Sequence, residues 1–286
     1  MALHLYQVDA FTNRLFGGNP AAVVPLSEWL PDDVMGAISA ENNLSETAFF
    51  IPASDSGVDF HLRWFTPAVE VDLCGHATLA SAFVLFSELA WQPDTLRFAT
   101  ASGLLSACLR GDSMITLDFP ARPGHEMDLS EGLESAVGQT VVDFRRAVMN
   151  MAVLKDEPAV HAVKPDLDYI RHLEGDGLII TAAGDSCDCV SRYFAPNSGI
   201  DEDPVTGSAH CVIAPYWAEK LGKTSLTARQ LSKRGGDVYC EVVDDRVLIS
   251  GHACLYSRGQ IASVEQKRLP KSVGQSIDHG ILKADV

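Results

Sequence analysis

The chain has 286 residues, 47% hydrophobic and 21% charged, enough for two cores of roughly 100 to 150 residues each. Lys and Arg total 22 against 38 Asp and Glu, a formal charge of -16, which argues against a nucleic-acid backbone or an anionic membrane surface as partner. An anionic ligand would have to be held by local dipoles or a few placed groups.

The N-terminus, through Leu3, Leu5 and Val8, alternates like a strand and lacks the basic start and long apolar core of a signal peptide. With no apolar stretch near the ~20 residues of a membrane span, a cytoplasmic protein is expected. Further strands are predicted at Ala21 to Val24, Glu46 to Ile51, Val58 to Phe65, Leu96 to Ala99, Leu104 to Leu109 and Met114 to Phe119. A short helix is predicted from Pro31 to Ala40, where Pro31 and two aspartates mark the start. Beyond Pro120 a second set runs Ala147 to Leu154, Gly177 to Ala182, Val190 to Phe194, Leu226 to Leu231, Val238 to Val243 and Val247 to Cys254. Two segments, 75–90 and 207–221, are apolar on nearly every side, as buried helices are. Pro215 inside the second removes a hydrogen bond, so a kink or an early end is expected there. Seven cysteines without a CxxC pair suit reduced thiols.

The chain repeats itself. Arg63-Trp64-Phe65-Thr66-Pro67 recurs as Arg192-Tyr193-Phe194-Ala195-Pro196, and Gly75-His76-Ala77 as Gly207-Ser208-Ala209, the second copy carrying three extra residues before its glycine. Each copy reads as strand, turn and helix. The expected architecture is therefore α+β, with two pseudo-symmetric domains, each a mixed or antiparallel barrel-like sheet around a central helix. The expected division is 1–120, 121–262 and a tail at 263–286 that packs on the first half or is disordered.

A two-fold repeat brings equivalent helix starts face to face across the boundary, where ligand clefts form. Gly75 and Gly207 let backbone approach a ligand, and free N–H groups at two helix N-termini can hold a carboxylate or a developing oxyanion. Around these starts lie Cys74, His76, Asp203, Thr206 and Ser208, while Glu46 sits at the mouth of an apolar strand, placed to accept and return a proton. Plain readings stand beside these. His76 fits a first-turn histidine bonded to a neighbouring carbonyl, Asp203-Pro204 an N-cap followed by proline, and Asn19 a turn former with Pro20. Cys74, His76, His210 and Cys211 match no common zinc spacing, and no metal site is expected.

Asn19-Pro20, Ser45-Glu46-Thr47, Phe65-Thr66-Pro67, Cys74-Gly75-His76-Ala77-Thr78 and Glu202-Asp203-Pro204-Val205-Thr206-Gly207-Ser208-Ala209 together resemble, in order, the signature segments of the PhzF-like isomerase family. The resemblance implies a diaminopimelate-epimerase-like fold, a homodimer, and proton-shift catalysis with no cofactor on a small carboxylate-bearing substrate. It implies Glu46, His76 and Asp203 as catalytic residues and Asn19, Cys74, Gly75, Thr206, Gly207 and Ser208 around the substrate. Related epimerases and racemases place a cysteine before each helix glycine. Here Cys74 is matched by Thr206, whose hydroxyl ionises too weakly to be a second acid or base. A racemase or epimerase of the same fold, and a catalytically silent binding protein, are the alternatives.

Overall fold

A computed structural model describes residues 2–262; the expected tail, 263–286, lies outside the described residues. In chain order the first half comprises β1 (Leu3–Ala10), β2 (Asn19–Pro25), α1 (Asp32–Asn42), β3 (Glu46–Pro52), β4 (Phe60–Phe65), β5 (Glu70–Val71), α2 (Gly75–Phe83), β6 (Thr95–Thr100), β7 (Gly103–Leu109) and β8 (Ile115–Pro120). Then come β9 (His125–Glu126), α3 (Leu133–Val137), β10 (Val141–Arg146), β11 (Asn150–Leu154), α4 (Glu157–Ala162), α5 (Leu167–His172), β12 (Leu178–Ala183) and β13 (Cys189–Ala195). The chain continues through β14 (Ile200–Asp203), α6 (Gly207–Leu221), β15 (Ser225–Gln230), β16 (Gly236–Val243), β17 (Arg246–Gly251) and β18 (Ala253–Ile261).

Strand pairing repeats as the sequence does. In the first half β1 is antiparallel to β2, β2 parallel to β3, β3 antiparallel to β4, and β4 antiparallel to β5 but parallel to β6, after which β6, β7 and β8 pair antiparallel. The same succession runs from β10 through β17. Equivalent strands β8 and β17 join the halves antiparallel. The strand after each then crosses over: β9 pairs with β10, and β18 with β1. A domain boundary near residue 120 remains a proposal, since hydrogen bonding is continuous across it.

Side chains carry the repeat further. Arg63 on β4 forks onto Glu70 of β5 at 2.6 and 2.7 Å and lies 5.1 Å from the Phe65 ring centre. Arg192 on β13 forks onto Glu202 of β14 at 2.7 and 3.0 Å and lies 4.9 Å from the Phe194 ring centre. Each arginine ties the strand before a central helix to the short strand that leads into it, a bidentate geometry lysine cannot supply.

Helix α2 packs on β1, β2, β3 and β8, and α6 on β8, β15, β16 and β17. Both share one hydrophobic core, with smaller clusters beneath α1 and beneath α3 to α5. Every α2 residue from Gly75 to Ala82 is buried, which is why no polar face exists in its sequence. The segment expected as helix to residue 90 is regular only to Phe83 and continues as a π-helical turn, Val84–Glu88. The expected early end at Pro215 does not occur: α6 runs on to Leu221. The missing Pro215 N–H frees the Cys211 carbonyl, and the Arg122 N–H takes it at 2.9 Å. The predicted strand Val247 to Cys254 breaks at His252, separating β17 from β18. Helices α4 and α5 went unpredicted; each is short and held by an aspartate cap, Asp156 or Asp166. All seven cysteines are free. Among the described residues, no helix is long and apolar enough to cross a membrane.

Candidate active site

The two helix starts meet back to back. A Cβ built on Gly75 would stand 3.2 Å from the Gly207 Cα, and one on Gly207 would stand 3.4 Å from the Gly75 Cα and 3.3 Å from the Phe11 ring. Only glycine permits this approach at both positions. The residues before them, Cys74 and Thr206, are extended and give no side-chain cap to their helices. The first-turn N–H groups of both helices are thereby left to face a ligand.

Over this junction opens a cavity of about 570 Å3 whose wall includes Glu46, Cys74, His76, Asp203, Thr206 and Ser208. Gly75 and Gly207 also lie on it. Glu46 enters as the first residue of β3, opposite Ala21 of β2, and its Oε2 lies 3.1 Å from His76 Nε2. Behind the wall, fully buried, Asn19 joins the halves: its amide nitrogen reaches Asp203 Oδ1 and the Val205 carbonyl at 2.9 Å and His76 Nδ1 at 3.2 Å. The sequence placed Asn19 against substrate; the structure places it behind the side chains that line the cavity. Asp203 ends β14 and is not the N-cap of α6, which is Thr206. Its Oδ2 accepts from the Thr206 hydroxyl. Gln230, fully buried at the end of β15, donates to the Asp203 carbonyl at 2.8 Å and to the Thr206 hydroxyl at 3.1 Å.

Burial sets the protonation pattern. It pushes the Cys74 thiol up to about 11, so the thiol is uncharged near neutrality. It pushes the Asp203 carboxyl up to about 6, against the pull of His76 and with Glu46 adding to the rise. For His76, burial opposes the charged form, yet Cys74 and Glu46 outweigh it and hold the imidazole well above its ordinary value. With Cys74 neutral, Glu46 is the counter-charge that matters. The site thus sets Glu46 against the His76 imidazole, with a protonatable aspartate on the opposite half.

Gln230 and Arg122 escaped the sequence reading. Arg122, just past β8, is the one Lys or Arg on the described cavity wall and forms no ion pair among the described residues. A strand-end glutamine and a loop arginine carry no local signal. Cys211 and His210 do not join Cys74 and His76: His210 Nδ1 is bonded to the Thr206 carbonyl at 2.8 Å.

A family profile described as "Phenazine biosynthesis-like protein" matches residues 8–259. An "Uncharacterized isomerase" of Pseudomonas aeruginosa is 48% identical over 261 residues, covering 91% of this chain and 99% of its own. The crystal structure of a "phenazine biosynthesis protein PhzF family" member from Enterococcus faecalis superposes with a TM-score of 0.88 at 45% identity, covering 92% of this chain and 100% of its own. A hydroxyproline epimerase from Agrobacterium vitis, with trans-4-hydroxy-L-proline bound, shares the fold at a TM-score of 0.61 and 13% identity, over 93% of this chain and 94% of its own.

Proposed function

Because the chain belongs to the phenazine biosynthesis-like, or PhzF, family, we propose that it is a cofactor-independent isomerase moving a proton within a small carboxylate-bearing substrate, with Glu46 as its single acid and base. The observation that carries this reading is the Glu46 carboxylate 3.1 Å from His76 on the wall of a cavity that two uncapped helix starts also line.

The N–H groups at Gly75 and His76, and at Gly207 and Ser208, hold the substrate carboxylate, and the helix dipoles offset the negative field of the protein. Arg122 adds the one Lys or Arg side chain on the described cavity wall. Glu46 takes a proton from an activated C–H, the charge spreads through the conjugated substrate, and Glu46 returns the proton at another carbon. Such transfer supplies roughly 10²- to 10⁴-fold, leaving positioning and the oriented N–H groups to supply the rest. His76 stabilises the carboxylate form of Glu46 before the first transfer and after the second. Asp203 orients a polar group of the substrate or exchanges a second proton.

A two-thiol racemase fits less well. The Thr206 hydroxyl, where a second cysteine would stand, is engaged by Asp203 and Gln230.

Incubation of unsaturated cyclic amino acids related to anthranilate in deuterated water, read by mass spectrometry, tests the reading. Wild type and Cys74→Ala are expected to incorporate deuterium, and Glu46→Gln to lose about 10²-fold or more in rate. Exchange that survives Glu46→Gln unchanged would remove Glu46 as the base. We further propose a cytoplasmic homodimer. Light scattering of the purified chain should give twice the chain mass, and a monomeric mass would refute it.

A further inference from the structure

We propose that Glu46, Cys74 and His76 form a site for a soft divalent cation such as Zn2+, and that the ion shuts off proton transfer by occupying the wall of the cavity. One ligand atom from each residue lies within 4.8 Å of the other two, and all three residues are buried yet line the open cavity. Cation binding rests on this cluster alone, and the shut-off rests on the proposed role of Glu46 as the base.

Asn19 gives its two amide protons to groups other than His76. Its amide has two protons and three acceptors in reach, Asp203 Oδ1 and the Val205 carbonyl at 2.9 Å and His76 Nδ1 at 3.2 Å. The two nearer oxygens take them, and His76 Nδ1 has Cys74 Sγ 3.5 Å away, a contact in which either atom can donate. His76 Nε2 is then left facing Glu46 Oε2 at 3.1 Å, and neither of these buried atoms completes a hydrogen bond. The His76 side chain is 5% exposed. A ring nitrogen and a carboxylate oxygen in that relation call for a cation, either a proton or a metal ion. Imidazole, carboxylate and thiolate are the ligand types zinc takes at ~2.0 to 2.3 Å, which puts neighbouring ligand atoms of a tetrahedral ion ~3.3 to 3.7 Å apart. The cluster, whose ligand atoms lie within 4.8 Å of one another, has to contract to that spacing on binding, with the fourth position left to the cavity. On binding, the ion replaces the Cys74 thiol proton and any proton on His76 Nε2, both leaving to solvent.

Titration of the full chain with Zn2+ by calorimetry, and with Co2+ by its thiolate charge-transfer absorption, tests the site. Expected are one ion per chain and a charge-transfer band. Cys74→Ser should abolish the band, and Glu46→Gln and His76→Asn should each weaken binding beyond the ~10-fold typical of losing an outer partner. Cys187→Ser, outside the cavity, should change neither. Absence of the band in wild type, or its survival in Cys74→Ser, overturns the proposal. Should a variant misfold, alkylation of Cys74 in the wild-type chain decides, because Zn2+ must slow it and equal labelling with and without the ion overturns the site.

Discussion

At Asp203 the buried carboxyl titrates at about 6, whereas an aspartate in an unfolded chain titrates near 3.9. Between those values the folded protein binds more protons than the unfolded chain, so stability falls as pH rises through that window, by on the order of 3 kcal/mol. His76 acts in the same direction higher up: its contribution is complete below about 6.5 and is lost as pH rises through its elevated folded value. Thermal denaturation of wild type and Asp203→Asn across pH 4 to 7 should show wild type losing stability relative to the variant as pH rises. An unchanged difference would place the protonation elsewhere. The catalytic candidates themselves were legible as residues because Glu46, His76 and Asp203 each sit inside a contiguous motif. Gln230 was not, since its role arises only where β15 ends beside the start of α6.

Among the elements, the glycine pair sets how closely α2 and α6 approach. Gly75→Ala places a methyl 3.2 Å from the Gly207 Cα, a contact with backbone that no side-chain rotation relieves. The variant should lose about 1 to 3 kcal/mol of stability, and ligand affinity with it because both sets of N–H groups move. Denaturant melts and calorimetry with the same carboxylate check both, and full stability would mean the helices part without cost. The central helices were readable from their all-round apolar composition and the two-fold repeat from its recurring motifs. The break at His252 was not, because Val247 to Cys254 is evenly strand-like and the split depends on Thr12, whose N–H bonds the His252 carbonyl at 3.1 Å. That α6 does not end at Pro215 was hidden for a comparable reason: the partner of the freed Cys211 carbonyl comes from Arg122, far away in sequence.

For the whole molecule, a formal charge of -16 opposes the approach of any anionic ligand, even one the helix starts hold well once bound. Association should therefore speed up as added salt screens the field over a Debye length of ~10 Å at 0.1 M. Stopped-flow binding of a fluorescent small carboxylate at low and moderate ionic strength reads this directly, and a rate that falls with salt would point to a positive entry path around Arg122. The exchange of strands between halves has a consequence for synthesis. β1 leaves the ribosome long before β18, one of its two partners. The N-terminal sheet must wait for β18 to be made before it can close, so the order of translation and the order of folding cannot coincide. The second half, whose β10 receives its crossing partner β9 from just upstream, can complete its own pairing sooner. A nascent chain halted before Ala253 would therefore hold a C-terminal half nearer completion than the N-terminal half that was translated first.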